Sequence, residues 1–339
     1  MKSLRVCFLI FLLLEALWCE GCWREEREAL LDLRFREQPG DCCEWEGVHC
    51  NPSTGRVAQL DLLLIYDQQY INYSDFSVFK DLKNLSLSSN TVGCVGDAEL
   101  PNLQLLSFNY NYLDNATTIL LSCLDGLPSL KSLYLSDNKF STSSLNHVFE
   151  SVSRKLRRNL EVLDISWNPL TNEILPSLEE FTSLKELYLC GTELDSDLHF
   201  DGLCSTLRNL EVLYFSYNNF NQTDIGSALI GFSSLKSFYL DNSALIWRSI
   251  YNISKLSSLE FLDLYGNNLN ESGSMLRPFK DNQTFKWPTN LRHLDLRVNS
   301  LSNRFVPYLR GLPHLQFLDL SCNQFQGELD INGQYFINL

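Results

Sequence analysis

Cys22, Cys42, Cys43 and Cys50 crowd the N-terminal end of the chain and are, by residue type, its side chains best equipped for chemistry. Two chemistries compete for them. As disulfides they allow three pairings. As a metal site they fit poorly, because the adjacent Cys42 and Cys43 lack the CxxC partner that tetrahedral zinc sites use. Further along stand Cys94, Cys123, Cys190, Cys204 and Cys322, an odd set of which at least one stays free or pairs with another chain. Catalytic constellations are harder to assemble. His49, His147, His199, His293 and His314 follow no common spacing, and there is no GxSxG, HExxH or phosphate-cradling glycine loop. Neither a cofactor nor an enzymatic activity is expected.

What the cysteines become depends on the compartment, and the first residues specify it. Lys2 and Arg5 precede an apolar run from Val6 to Trp18, broken only by Glu15, with small Cys19 and Gly21 where a signal peptidase cuts. Residues 1–21 therefore read as a signal peptide, and the mature product as extracellular. As a helix the run covers about 20 Å, short of the roughly 30 Å hydrocarbon core. No later stretch approaches the length of a membrane span, so no membrane segment is expected beyond the signal peptide. Acidic residues outnumber basic ones 41 to 27, a formal charge of −14, and no Lys/Arg run is present. That balance argues against nucleic acid as a partner.

The elements that position these residues come from a repeat. The pattern LxxLxLxxN recurs, most clearly from Leu130 to Asn138, Leu160 to Asn168, Leu259 to Asn267 and Leu315 to Asn323. Further copies begin at Leu82, Leu103, Leu184, Leu210, Leu235 and Leu291, with a degenerate first copy at Val57. The eleven starts lie 21 to 32 residues apart, the period of leucine-rich repeats. Alternation at LxL sends two apolar side chains inward from a short strand, so the strands must stack in parallel. Asn at the ninth position (Asn90, Asn111, Asn138, Asn168, Asn218, Asn267, Asn299, Asn323) turns the chain inward and can pair backbone groups that a buried turn strands; Thr192 and Ser243 replace it less completely. The expected fold is an α/β repeat solenoid, a leucine-rich-repeat horseshoe roughly 50 Å long with a parallel concave β-sheet and a disulfide-sealed N-terminal cap.

Ile174-Leu-Pro176 and Val306-Pro307, six to eight residues after the Asn, look like the plant-specific form of the repeat. Cys22-Trp23, Glu25-Glu26-Arg27, Ala29-Leu30-Leu31 and then Cys42-Cys43-Glu-Trp45-Glu-Gly47-Val48-His-Cys50 resemble the cap of plant receptor-like proteins and receptor kinases. The resemblance implies Cys22 paired with Cys42 and Cys43 with Cys50. It also implies residues 22–56 as cap, residues 57–339 as about eleven repeats, and perception of an extracellular peptide, glycan or protein ligand in defence or development, with a co-receptor kinase as signalling partner. Such proteins reside in the apoplast, or at the plasma membrane when a longer product carries a transmembrane helix. Only Asp32 to Asp41 separate the cap helix from the double Cys, fewer residues than the family usually has and without its second Trp, which implies a looser cap. The similar polygalacturonase-inhibiting proteins offer a second function, inhibition of cell-wall-degrading enzymes, but end in a Cys-bearing cap not seen after Cys322. A truncated product without independent function is the third reading.

Ligand binding is expected on the concave face, a continuous surface on a rigid scaffold. The residue between the two strand leucines runs Ser86, Ser107, Tyr134, Asp164, Tyr188, Tyr214, Tyr239, Asp263, Asp295, Asp319, and Trp167, Tyr217, Asp241 and Tyr265 extend it. Tyr and Trp supply rigid contact area at small entropic cost; Tyr also simply suits an exposed strand. Asp263 and Asp295 share a column in adjacent repeats, but an open, wet sheet is expected to leave them without the desolvation that acid/base work needs. Sequons occur at Asn72, Asn84, Asn115, Asn221, Asn252, Asn270 and Asn282, while Pro52 excludes Asn51; a glycan at Asn84 is expected on the concave face. After Asn323 no capping unit is evident, so the strand at Leu318 and Leu320 is expected to present an unpaired edge.

Overall fold

The computed structural model describes residues 22–33, 40–62, 71–88, 92–93, 100–111, 113, 124, 126–195, 201–220, 225–245, 247–270, 285–309, 312–327 and 336–338. The expected signal peptide, Asn90, Cys94, Cys123, His199 and the sequons at Asn115, Asn221 and Asn282 lie outside these residues. The chain divides into two compact units, residues 1–111 with 118–133, and residues 112–117 with 134–339.

The first unit begins with a helix, Arg24–Asp32, whose first turn carries Glu25 and Glu26, the sign of charge that a helix N-terminus favours. Disulfides join Cys22 to Cys42 and Cys43 to Cys50. Strand β1 (Val48–Cys50) runs antiparallel to β2 (Val57–Asp61), which pairs in parallel with β4 (Asn84–Ser86), and β4 with β6 (Leu105–Ser107). Two short strands, β3 (Ile71–Asn72) and β5 (Val92–Gly93), form a separate parallel ladder. Contrary to the expectation of a loose cap, Trp45 is buried with the Arg27 guanidinium over its ring. Glu26, fully buried, accepts from the Val57 backbone amide at 2.9 Å and from Arg56 at 3.2 Å. Arg56 in turn lies 3.7 Å over the Trp23 ring. Burial pushes the Glu26 carboxyl up, against the pull of those two donors. The described part of the cap is thus tied together by a buried ion pair and two cation–π contacts besides its disulfides.

Strand β7 (Ser132–Tyr134) stands at the sequence boundary of the two units. In the second unit β8 (Val162–Asp164), β9 (Glu186–Tyr188), β10 (Val212–Tyr214), β11 (Ser237–Tyr239), β12 (Phe261–Asp263), β13 (His293–Asp295), β14 (Phe317–Asp319) and β15 (Phe336–Asn338) pair in parallel, each with the next in chain order. The register never slips: Leu163, Leu187, Leu213, Phe238, Leu262, Leu294 and Leu318 align and are all buried. A one-residue shift would turn every one of them to solvent, so the buried column itself enforces register. All eleven repeat copies thus yield a strand at the expected place. The unpaired edge at Leu318 is corrected by β15, whose Ile337 registers against Leu318; the chain returns to the sheet nineteen residues after Phe317, sooner than the repeat period anticipates.

Between strands the chain returns through short helices, Thr142–Ser151, Arg154–Asn159, Leu175–Leu178, Asp201–Thr206, Ile225–Leu229 and Trp247–Ile253. Ser141 and Ser153 cap the first two, accepting from the Ser144 and Leu156 amides. The buried Asn column closes each turn. Asn168 donates to the carbonyls of Leu135, Ile165 and Ser166, all at 3.0 Å, and its Oδ1 accepts from the Asn138 and Phe140 amides. Asn218, Asn267 and Asn299 repeat this pattern. Thr192 manages a 3.4 Å contact to the Leu189 carbonyl and one bond to Asn218.

A second column lies outside the strands. In the six repeats that begin at Leu160 to Leu291 the residue after the first leucine alternates in charge, Glu161, Lys185, Glu211, Lys236, Glu260, Arg292. Neighbours pair: Lys185 with Glu161 at 2.7 Å, Lys236 with Glu211 at 2.8 Å, Arg292 with Glu260 at 3.3 Å. These exposed pairs contribute little to stability.

Candidate functional site

Each strand from β8 to β12 turns its first and third residues outward and buries the second. The third-residue column carries Tyr134, Asp164, Tyr188, Tyr214, Tyr239 and Asp263 half-buried, as expected from the alternation. The register sets Tyr188 beside Tyr214 and Tyr214 beside Tyr239. Their rings stack at 4.3 Å and 3.9 Å between centroids, 9° and 7° from parallel. They are therefore a packed, half-buried ridge with the ring faces turned to one another. Burial pushes the Tyr188 and Tyr239 phenols well up; the Tyr188 hydroxyl also donates to Glu186 at 2.8 Å, and Tyr239 is further raised by its bond with Tyr214.

The ridge does not stop at Tyr239. It crosses diagonally to Phe261, first residue of β12, at 4.7 Å, then to His293 and Phe317, each step 4.2 Å. Six aromatic rings thus run across six strands. Phe261, His293 and Phe317 lie in neither the third-residue column nor the positions just beyond it, where the candidate surface was expected. Their signal is the first-residue column, where Phe, His and Phe replace the Ser and Val of the two preceding repeats. Burial between two phenylalanine rings pushes the His293 imidazole down.

Beside this end of the ridge the carboxylates gather. Asp295 is corrected as a ligand contact: it is 3% exposed, and Arg297 holds both its oxygens, Nε at 2.8 and 3.1 Å and Nη2 at 2.6 Å. Arg297, itself exposed, lies 5.3 Å from the centroid of the Tyr265 ring and 3.8 Å from Asp319. Asp263 differs. It accepts from the Tyr265 backbone amide at 2.9 Å, and its carboxyl is lifted to about 6, first by burial, then by Asp295 and Asp241. The expected absence of desolvation at this pair is therefore wrong for Asp263, whose carboxyl is half-buried in the sheet face. Asp241 accepts from the Ser216 hydroxyl and from Asn242 at 3.3 Å.

Trp167 and Tyr217 flank the sheet at one strand end, about half exposed, with rings 5.4 Å apart. Both hold positive φ, 55° and 57°, a conformation that bulky residues rarely adopt. Gly191 lies between them in sequence order, and its missing side chain leaves room for the Trp167 ring, which a Cβ there would strike.

Among the described sequons, Asn84 lies on β4 and donates to Gln59 at 3.3 Å, Asn72 lies on β3, and Asn270 bridges Ser300 while its carbonyl accepts from Trp247. Asn252 is corrected as a glycosylation site: it sits inside the helix Trp247–Ile253, 8% exposed, its Oδ1 held by Lys255. No group of metal-binding side chains occurs among the described residues. No helix among them is long and apolar enough to cross a membrane.

Leucine Rich Repeat family models match residues 129–151, 159–181 and 311–328. The chain is 32% identical over 270 residues to Cuscuta receptor 1 of Solanum lycopersicum, covering 71% of this chain and 22% of that one. It is 27% identical over 232 residues to Receptor-like protein 13 of Arabidopsis thaliana, covering 52% and 21%. It thus spans about a fifth of the length of these curated relatives. Among solved structures an internalin from Listeria monocytogenes aligns with a TM-score of 0.49 at 18% identity, covering 77% of this chain and 80% of that one.

Proposed function

We propose that this chain, a leucine-rich-repeat protein of the plant receptor-like kind, recognises an extracellular ligand on the outward sheet of its second unit and catalyses nothing there. The observation that carries this reading is the stacked ridge of Tyr188, Tyr214 and Tyr239. Rings pre-ordered by one another lose little entropy on meeting a partner, and they present a row of ring edges on a rigid sheet. Tyr134, Asp164, Trp167, Tyr217, Asp241, Asp263 and Tyr265 extend the surface with polar groups that select among partners. Two disulfides suit an oxidising, secretory compartment. Receptors named among the relatives support a sensing role, with an extracellular peptide as the first ligand class to test and a kinase as signalling partner.

The experiment is comparative. Secreted chain and its Tyr188→Ala/Tyr214→Ala variant are each immobilised and exposed to size-fractionated extracellular fluid from elicited plant tissue, and bound peptides are identified by mass spectrometry. A peptide retained by the native chain and lost by the variant, then reproduced with the synthetic peptide, supports the reading. Identical retention by both proteins overturns it.

A further inference from the structure

The fold separates the sequons whose burial it describes. Asn252 is enclosed by its own helix, and Asn270 bridges Ser300 outside the named strands. Asn84 differs from both: it is the first residue of β4, half-buried, with its side chain on the outward face of the sheet. Strand alternation buries Leu85 and turns Ser86, the third residue of the same sequon, to that face as well. The two side chains that define the motif therefore stand together on the surface where ligand recognition is expected.

Around Asn84 the surface is low and polar. Its register neighbours are Gln59 on β2 and Leu105 on β6, and the third-residue column beside it reads Asp61, Ser86, Ser107. The hydroxyls of Ser86, Ser88 and Ser107 bond to one another at 3.3 and 3.2 Å and so stay close to the backbone. Tyrosine enters this column only at Tyr134. The Asn84 Nδ2 donates to the Gln59 Oε1 at 3.3 Å, and Gln59 donates to Asp61 at 2.8 Å. A primary amide has two N–H donors, so one of them can be replaced while the other keeps the bond to Gln59.

We infer that Asn84 carries an N-linked oligosaccharide that lies over the outward face of β2, β4 and β6 and withdraws the first unit's sheet from ligand recognition. The modification rests on the sequon and on the oxidising compartment that two disulfides suit; its consequence for recognition rests on the sensing role argued above. In the transfer, Nδ2 bonds to C1 of an N-acetylglucosamine, the bond from that carbon to the diphosphate of a lipid-linked donor breaks, and the proton lost by Nδ2 goes to the leaving diphosphate. The neighbouring strands lie ~4.8 Å to either side, within reach of the first sugars. There the Gln59, Asp61 and Ser86 side chains offer hydrogen bonds to sugar hydroxyls, and no aromatic ring of these three strands stands in the way. The sheet thus divides its labour: a low polar face under a glycan, and a ridge of rings left bare for a ligand.

Two measurements on the full chain secreted from plant cells test this. Peptide-N-glycosidase A acting in heavy-oxygen water marks each occupied site, and peptide mass spectrometry is expected to find Asn84 marked in most molecules. Ser86→Thr should keep the mark and Ser86→Ala should lose it. For the cover, the chain is made with a mannosidase inhibitor and trimmed after folding to one sugar per site with endoglycosidase H. Carbodiimide coupling of glycine ethyl ester should then label Asp61 several-fold faster in the trimmed chain than in the untrimmed one, while Glu150, exposed on the helix Thr142–Ser151, labels equally in both. Asn84 unmarked would overturn the site, as would a mark that survives in Ser86→Ala. Asn84 marked with Asp61 labelled equally before and after trimming would overturn the cover. Neither measurement uses a ligand, so failure here leaves the ridge reading to its own test.

Discussion

The rings of Tyr214 and Tyr239 lie 3.9 Å apart and 7° from parallel on strands whose register pairs them directly. Each ring is therefore held by its neighbours as well as by its own strand. Replacing Tyr214 by Ala removes stacking on both sides and should cost about 1–2 kcal/mol. Leu213→Ala, one residue away and pointing inward, should cost about 2–5 kcal/mol. Urea denaturation of the two variants separates these effects; equal losses would mean that Tyr214 is core.

Asn168 satisfies five backbone groups at once, and Asn168→Ala strands them in a dry turn. A loss of about 2–4 kcal/mol is expected. The converse applies at Thr192, which makes a long contact to the Leu189 carbonyl. Thr192→Asn should raise the denaturation midpoint, by about 1 kcal/mol in stability.

Folding raises the Asp263 carboxyl from 3.8 to about 6, so the folded state holds that proton more tightly than the unfolded one. The resulting stability is complete below about pH 4 and is lost as pH rises through about 6. Asp263→Asn should therefore be more stable than the native chain at pH 7.5, by about 1–2 kcal/mol once partial solvent screening is allowed for, and nearly equal at pH 4. A difference independent of pH would place the effect in packing instead.

Gly226 opens the helix Ile225–Leu229 at the point where Ser249 and Asn252 of the next repeat's helix approach it; a Cβ there would meet the Ser249 carbonyl, with Asn252 Cβ at 2.8 Å. Gly226→Ala should destabilise by about 1–3 kcal/mol despite alanine's higher helix propensity. An increase in stability would show that the two helices can separate at little cost.

Much of this was legible in the chain itself. The leucine at each strand centre and the Asn column repeat with the fold's own period, so strands and turns could be located by counting. The ridge was only half legible, because it changes column between Tyr239 and Phe261 and its continuity depends on ring orientation. Glu26 and Arg297 were not legible as anchors: each acts through a residue brought close only by folding, Val57 and Arg56 in one case, Tyr265 and Asp319 in the other.

The alternating column from Glu161 to Arg292 constrains how a repeat array of this kind can change length. Deleting the single repeat that carries Glu211 would bring Lys185 against Lys236, and duplicating it would set Glu211 against its own copy. Removing or adding two consecutive repeats preserves the alternation. Charge parity thus makes the pair of repeats, about fifty residues, the unit by which this segment can be shortened or extended without setting like charges side by side.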